Sequence, residues 1–157
     1  MTHESVATAL EREHREIDRS MAEFARSGDE DSLRGAIRGL RGHICAEEQF
    51  LFPALRGAGL IAPVFVMLRE HGQMWALLDD LVRSLDDGID EWADSDVPRL
   101  CAELISLEER HNPKEEQILY PQADRALSTE DLARLRRFLD SGEVPEGWVC
   151  EQARIPH

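Results

Sequence analysis

Apolar residues recur at helical spacing along almost the whole chain, and no segment alternates in the manner of a β-strand. Asp31 or Ser32 is expected to cap the second helix and Ser128 the last one. Pro53 is expected to kink or end the second helix, because proline removes a backbone donor. The predicted helices span about residues 4–26, 31–55, 63–88, 97–119 and 128–141.

Four of these helices are long and are joined by short connections, which predicts an up-down-up-down four-helix bundle over about residues 4–126. The short fifth helix and an irregular tail, residues 142–157, follow the bundle. A chain of 157 residues fits one compact domain. The prediction is therefore a single all-α domain.

An eleven-residue frame occurs twice, as HICAEEQFLFP at 43–53 and as HNPKEEQILYP at 111–121. Six of the eleven positions are identical. Each copy places a histidine and a glutamate four residues apart, so that both side chains project from one face of a helix. Two such faces turned toward each other are how helical bundles build paired-metal sites. The two pairs are His43 with Glu47 and His111 with Glu115.

Each long helix also carries a histidine at a matching level. Counted from the predicted turns at about 1.5 Å per residue, His14 lies level with His43. His71 lies level with the second pair if the third helix ends near Gly88. Four imidazoles and two carboxylates suit a pair of iron or manganese ions better than a closed zinc site. The candidate metal ligands are His14, His43, Glu47, His71, His111 and Glu115.

Other polar residues in the frames are interpreted differently. Glu48 and Glu116 lie one residue off the ligand face, so they are predicted to support the ligands or to face solvent. Tyr120 is interpreted as a packed core residue in preference to a hydrogen-bonding group at the site. Cys45 is predicted to point away from the site, because it lies about 200° around the helix from His43.

Charge and composition exclude several classes of function. Lys and Arg number 18 against 32 Asp and Glu, and the net charge of −14 disfavours binding to nucleic acid or to anionic membranes. No apolar run is long enough to span a membrane, and the N-terminus lacks a signal-peptide pattern. The three cysteines form no CxxC pair, which favours the cytoplasm. His3 and His157 lie near the ends and are not assigned to the site.

The order of these motifs resembles the hemerythrin-like, or HHE cation-binding, family of non-haem di-iron four-helix bundles over roughly residues 5–126. Members carry a histidine on the first helix, His-x-x-x-Glu on the second, a histidine on the third, and a second His-x-x-x-Glu or Asp on the fourth. The resemblance implies that two carboxylates bridge two irons. It assigns Glu47 and Glu115 as bridges, His14 and His43 to one iron, and His71 and His111 to the other.

The chain departs from the oxygen-carrying members at the third helix, where they have two histidines four residues apart. Met67 and Trp75 occupy the positions four residues before and after His71. One coordination position is thus expected to take water, an external ligand or a nearby carboxylate such as Glu70. Trp75 is interpreted as a core residue in preference to a shield over that position.

The second departure is Pro113, between His111 and Glu115. It is expected to distort the last helical turn and to shift Glu115, because proline removes a helical hydrogen bond.

The resemblance implies binding of dioxygen, peroxide or nitric oxide, with peroxide-consuming or stress-protective redox activity as a further expectation. Two alternatives stay open at this point. One is a metal-free helical module that binds a protein partner, for which removing metal would leave stability unchanged. The other is an iron storage or delivery protein, which would hold labile iron and react little with peroxide.

Overall fold

A computed structural model describes residues 4–88 and 91–154, and His3 and His157 lie outside these ranges. The described residues contain no strand, so the all-α prediction is confirmed. Two π-helical turns, Glu47–Leu51 and Glu115–Leu119, directly follow the helices that end at Ala46 and Lys114. Short 3-10 turns lie at Trp92–Asp94, Tyr120–Gln122 and Glu151–Arg154. The α-helices are α1 (Val6–Ser27), α2 (Glu30–Ala46), α3 (Phe52–Gly57), α4 (Ile61–Asp86), α5 (Val97–Lys114), α6 (Ala123–Ala126) and α7 (Thr129–Ser141).

The start of α2 corrects one predicted boundary. α1 ends at Ser27 and is capped by Gly28, which adopts the left-handed conformation (φ +73°) that favours glycine. Asp29 then takes the extended backbone of a helix N-cap, and the Ser32 hydroxyl donates a hydrogen bond to its carboxylate at 2.8 Å. The N-cap therefore lies two residues before Asp31 and three before Ser32, the two predicted caps, because the chain turns immediately after Gly28.

Later boundaries follow the predictions more closely. α4 begins at Ile61, before Pro63, because a proline in the first turn removes a donor that has no intrahelical partner there. Pro98 lies in the first turn of α5, as predicted. The Ser128 side chain accepts a hydrogen bond from the backbone N–H of Asp131 at 3.1 Å, which confirms the predicted cap of α7.

The predicted irregular tail is wrong at its far end. Glu151–Arg154 forms a 3-10 turn that packs against α4, and Cys150 just before it is fully buried in the core. A single buried residue such as Cys150 does not recur at helical spacing, so the sequence pattern does not reveal that this segment packs into the core.

Two apolar cores are separated by a layer of polar side chains. α1 packs against α2, and α4 packs against α5. On α1, Ile17 belongs to the first core and Leu10 to the second, with His14 between them. The first core also contains Leu40, Met74 and Leu107, and the second also contains Leu51, Met67 and Leu119. The polar layer therefore lies inside the protein, where charged groups need partners.

No helix within the described residues contains an 18-residue stretch apolar enough to cross a membrane.

Candidate metal centre

The six side chains predicted as ligands meet in the polar layer, and all of them are buried. Their donor atoms form two groups of four, in each of which the ligand atoms lie within 4.8 Å of one another. Glu47 and Glu115 belong to both groups. The first group adds His14 and His43, and the second adds His71 and His111. The resemblance to the hemerythrin-like family implies the same grouping.

Each shared carboxylate faces both groups through different oxygens. Glu47 Oε2 lies 3.4 Å from His43 Nε2, while its Oε1 lies 3.2 Å from His71 Nε2. Glu115 Oε1 lies 3.1 Å from His14 Nε2, and its Oε2 lies 3.1 Å from the Nε2 atom of His111. Each shared carboxylate thus offers one oxygen to each of the two donor groups.

Several of these donor atoms lack a hydrogen bond within residues 4–88 and 91–154. Glu47 Oε1, His71 Nε2 and Glu115 Oε2 are buried, and none of them has a partner of suitable geometry there. A buried unpaired polar atom costs about 1–3 kcal/mol, so three converging ones require an explanation. A cation bound between them satisfies all three at once, and the donor set therefore fits a metal.

The cluster holds its charges by mutual attraction. Burial would lower the pKa of His43, but the charges of Glu47 and Glu13 raise it well above its ordinary value. Burial would raise the pKa of Glu115, but His111 and its neighbours lower it well below the usual range. The opposite charges of the cluster thus favour an ionised carboxylate and a protonated, cationic imidazole. A metal ion must displace such protons, so metal binding releases protons to solvent.

Both repeated frames contain a π-helical turn that begins at the glutamate of the ligand pair. The backbone N–H of Phe52 donates to the carbonyl of Glu47, and that of Tyr120 donates to the carbonyl of Glu115. The predicted disruption at Pro53 thus takes the form of a wider turn, and the chain then returns to α-helix. Such a turn brings the fifth residue after each glutamate back toward the site.

Tyr120 corrects the interpretation of a simple core residue. Its hydroxyl donates a hydrogen bond to Glu47 Oε2 at 2.6 Å and lies 3.1 Å from His43 Nε2. The same oxygen lies 3.2 Å from both Glu115 Oε1 and His14 Nε2. Burial, together with the two carboxylate charges, raises the pKa of Tyr120 well above 10. The phenol therefore stays protonated in the cluster as described.

The corresponding residue of the first frame is Phe52. Its ring stacks on His71 at a centroid distance of 5.4 Å, as the Tyr120 ring stacks on His14 at 5.6 Å. Each donor group forms one half of the centre. The two halves are therefore alike in shape and different in chemistry, because the Tyr120 hydroxyl enters only the half that contains His14.

A carboxylate stands behind each of three histidine rings. Glu13 Oε1 accepts from His43 Nδ1 at 2.8 Å, Glu48 Oε2 from His71 Nδ1 at 2.8 Å, and Glu70 Oε1 from the Nδ1 atom of His111 at 2.9 Å. Such partners orient metal-binding histidines and raise their basicity. Glu116 Oε2 lies 3.6 Å from His14 Nδ1 in the fourth case. Glu48 thus supports a histidine, which is the first of the two predicted alternatives, whereas Glu116 is too far from His14 Nδ1 for a hydrogen bond.

Two other expectations change. Glu70 does not enter either donor group, because its carboxylate is held between His111 and Lys114; the Lys114 Nζ atom lies 2.6 Å away. Burial would raise the pKa of Glu70, and these two partners lower it to about 2. Pro113 lies inside α5, and the expected distortion takes the form of the π-helical turn Glu115–Leu119, while both Glu115 oxygens remain beside histidines of the cluster.

Trp75 and Met67, the residues in place of a further histidine, are both packed in the interior. Trp75 contacts the Trp148 ring edge-on at 5.5 Å and carries the Arg41 guanidinium 4.4 Å above its ring. Met67 belongs to the second apolar core. Cys45 is buried and belongs to neither donor group, which agrees with the prediction that it points away.

Fold and site together define an all-helical protein with a buried histidine–carboxylate centre able to hold metal. The sequence model of the hemerythrin HHE cation-binding domain matches residues 5–123, which is most of the chain. The chain therefore belongs to the hemerythrin HHE family and is a metal-binding, hemerythrin-like protein. Searches of curated proteins and of solved structures gave no significant match.

Proposed function

We propose that the centre holds two iron ions bridged by Glu47 and Glu115, and that the protein binds dioxygen, peroxide or nitric oxide there. The observation that carries this proposal is that each shared carboxylate presents one oxygen to each donor group. The proposal includes the up-down-up-down four-helix bundle, because histidines from α1, α2, α4 and α5 meet at one level. His14 and His43 would hold one ion, and His71 and His111 the other.

Bound iron would supply reversible ligand binding and electron transfer. The chain's own residues favour one half of the centre for an external ligand. Tyr120 brings an oxygen into the His14 half, whereas Phe52 presents only an apolar ring to His71 in the other half. We therefore assign the external ligand, and any peroxide-consuming or stress-protective redox activity, to the half that contains His71.

We propose that the protein is a single domain that acts on small molecules in the cytoplasm. Its net charge of −14 supports a function without nucleic acid or membrane partners. Cys45, Cys101 and Cys150 are free and buried, which supports a reducing compartment.

Iron content and an absorption spectrum of protein purified in air test the proposal. We expect about two irons per chain, as paired-metal bundles hold, with charge-transfer absorption in the near ultraviolet. Colourless protein that stays folded, contains no iron and cannot be reconstituted would contradict the proposal and favour a metal-free interaction module. Iron that is readily lost and hardly reacts with peroxide would instead favour storage or delivery.

Glu13→Gln tests the support behind His43. The amide is nearly the same size as the carboxylate but carries no charge, so His43 loses basicity and orientation. We expect metal affinity in the His43 group to fall about 10–100-fold, the usual effect of losing such a partner. Competition with a chelator of known affinity measures this change. Glu16→Gln is the matched control, since Glu16 is exposed on the same helix and, among the residues that the structure describes, forms an ion pair with Arg12 alone. It should leave affinity unchanged.

A further inference from the structure

The C-terminal segment, residues 148–154, lies beyond the part of the chain that matches the family, yet it reaches the metal centre. The backbone N–H of Glu151 donates a hydrogen bond to Glu48 Oε1 at 2.9 Å. The other oxygen, Glu48 Oε2, accepts from His71 Nδ1 at 2.8 Å. One carboxylate thus connects the main chain of the C-terminal segment to a candidate ligand.

The C-terminal segment is anchored on both sides of that hydrogen bond. Cys150 is fully buried in the first core, and Trp148 packs edge-on against Trp75. On the other side, Gln152 lies against Gly72 so closely that a Cβ added to Gly72 would stand 2.7 Å from the Gln152 Cβ. Because the N–H of residue 151 lies between these anchors, its position is determined by packing.

Gly72 marks the point where the C-terminal segment packs closely against α4. A glycine in the interior of a helix costs about 1 kcal/mol relative to alanine, so a helix that retains one commonly has a close packing contact there. The contact here is the C-terminal segment, and Gly72 directly follows His71. α4 therefore accommodates the C-terminal segment at Gly72, the residue next to the candidate ligand His71.

Glu48 and Glu70 are held in the same manner by different groups. Glu70 binds His111 through one oxygen, and Lys114 holds its other oxygen. Glu48 binds His71 through one oxygen, and the N–H of Glu151 holds the other. With both oxygens engaged, each carboxylate has a fixed orientation and so fixes the imidazole that it binds.

We propose that the C-terminal segment is a positioning element of the metal centre, which holds Glu48 through the N–H of Glu151 and thereby sets the orientation of His71. This inference rests on the proposed metal-binding function. It assigns a specific role to a single backbone donor outside the four long helices.

Glu151→Pro tests the inference because proline removes that N–H and leaves the neighbouring chain in place. Residue 151 begins the 3-10 turn, a position that proline tolerates. Glu151→Ala is the matched control, since it removes the same side chain and keeps the N–H. In iron-loaded protein we expect the proline variant to release one of its two ions to a chelator about 10–100-fold faster. The alanine variant should release both at the wild-type rates.

A second readout needs no metal. In the metal-free protein, the ¹⁵N chemical shift of His71 Nδ1 should change in the proline variant and stay at the wild-type value in the alanine variant. Wild-type release rates together with an unchanged shift in the proline variant would overturn the inference. If the wild-type protein binds no metal, the proposed function fails, and the chemical shift alone then decides whether Glu151 positions His71.

A rescue experiment covers the case in which the proline variant fails to fold. Gly72→Ala should displace the C-terminal segment through contact with Gln152 and speed metal release. Adding Gln152→Gly removes the opposing Cβ and should restore slow release. Fast release that persists in the double variant would show that the alanine perturbs His71 directly, and that would overturn the role of the segment.

Discussion

The Glu115→Ala protein is expected to lose both metal ions, whereas removing one histidine should cost mainly one of them. Glu115 supplies an oxygen to each donor group, so its loss affects both. His43 belongs to one group and His111 to the other. We expect affinity at both positions of the Glu115 variant to fall by more than about 100-fold, beyond the range seen for supporting residues. Iron per chain after purification and desalting measures the difference.

Two controls separate ligand loss from unfolding. Glu115→Gln keeps the shape of the side chain and removes its charge, so it should also lose iron while staying closer to wild-type stability. Glu115→Ala leaves buried histidines without their carboxylate and should lower the free energy of unfolding by about 3–5 kcal/mol. Glu103→Ala, at an exposed position of α5, should retain about two irons. Full iron retention by both Glu115→Ala and His43→Ala would contradict the ligand assignment.

The gathering of the six candidate ligands could be predicted because it depends on local rules. A spacing of four residues puts a histidine and a glutamate on one helical face, and the repeat marks two such faces. Helix length then places His14 and His71 at the same levels. The positions of these side chains follow from the helical period, and no knowledge of how the helices cross is needed.

The hydrogen bonds of Tyr120 do not follow from the sequence pattern, because the helical period changes beside it. In a regular α-helix, a residue five places after Glu115 lies about 140° around the axis and would face away from the glutamate. The π-helical turn adds one residue and brings the hydroxyl back to the site. The sequence signal was present in the proline at the end of each frame, since Pro121 and Pro53 both follow such a turn.

The supporting carboxylates were harder to predict because most of them act between helices. Glu13 on α1 binds a histidine on α2, and Glu70 on α4 binds one on α5. Such contacts depend on how two helices are rotated against each other, which spacing along one helix does not reveal. The contact of Glu151 with Glu48 uses a backbone N–H, so no side-chain pattern marks it.

Glu108 is a buried carboxyl group that the proposed function does not use. It lies on α5 with only 4% of its surface exposed, and its Oε2 has no hydrogen-bond partner within the described part of the chain. It lines a cavity of about 690 Å³ together with Asp18 and His14. Burial, and then the charge of Asp18, raise the pKa of Glu108 to about 8, while the charges of His111 and His43 oppose this rise.

Glu108→Gln is therefore expected to stabilise the protein at alkaline pH. In the unfolded chain this carboxyl group has a pKa near 4.5, so between that value and about 8 the folded state binds a proton that the unfolded state has lost. Stability contributed by this group is complete below 4.5 and falls as the pH rises through 8. At pH 9 the glutamine variant should exceed wild type by up to about 5 kcal/mol, since the rise from 4.5 to about 8 corresponds to about 1.4 kcal/mol for each pKa unit.

Urea unfolding of the metal-free proteins at pH 5, 7 and 9 measures this difference. The two proteins should be nearly equal at pH 5 and should diverge steadily above it. Glu109→Gln, at the exposed neighbouring position, should show no such divergence. Asp18→Asn removes the nearby charge that raises the pKa of Glu108, so it should move the loss of stability to lower pH. A difference between wild type and Glu108→Gln that does not change with pH would mean that Glu108 is hydrated through the cavity and keeps an ordinary pKa.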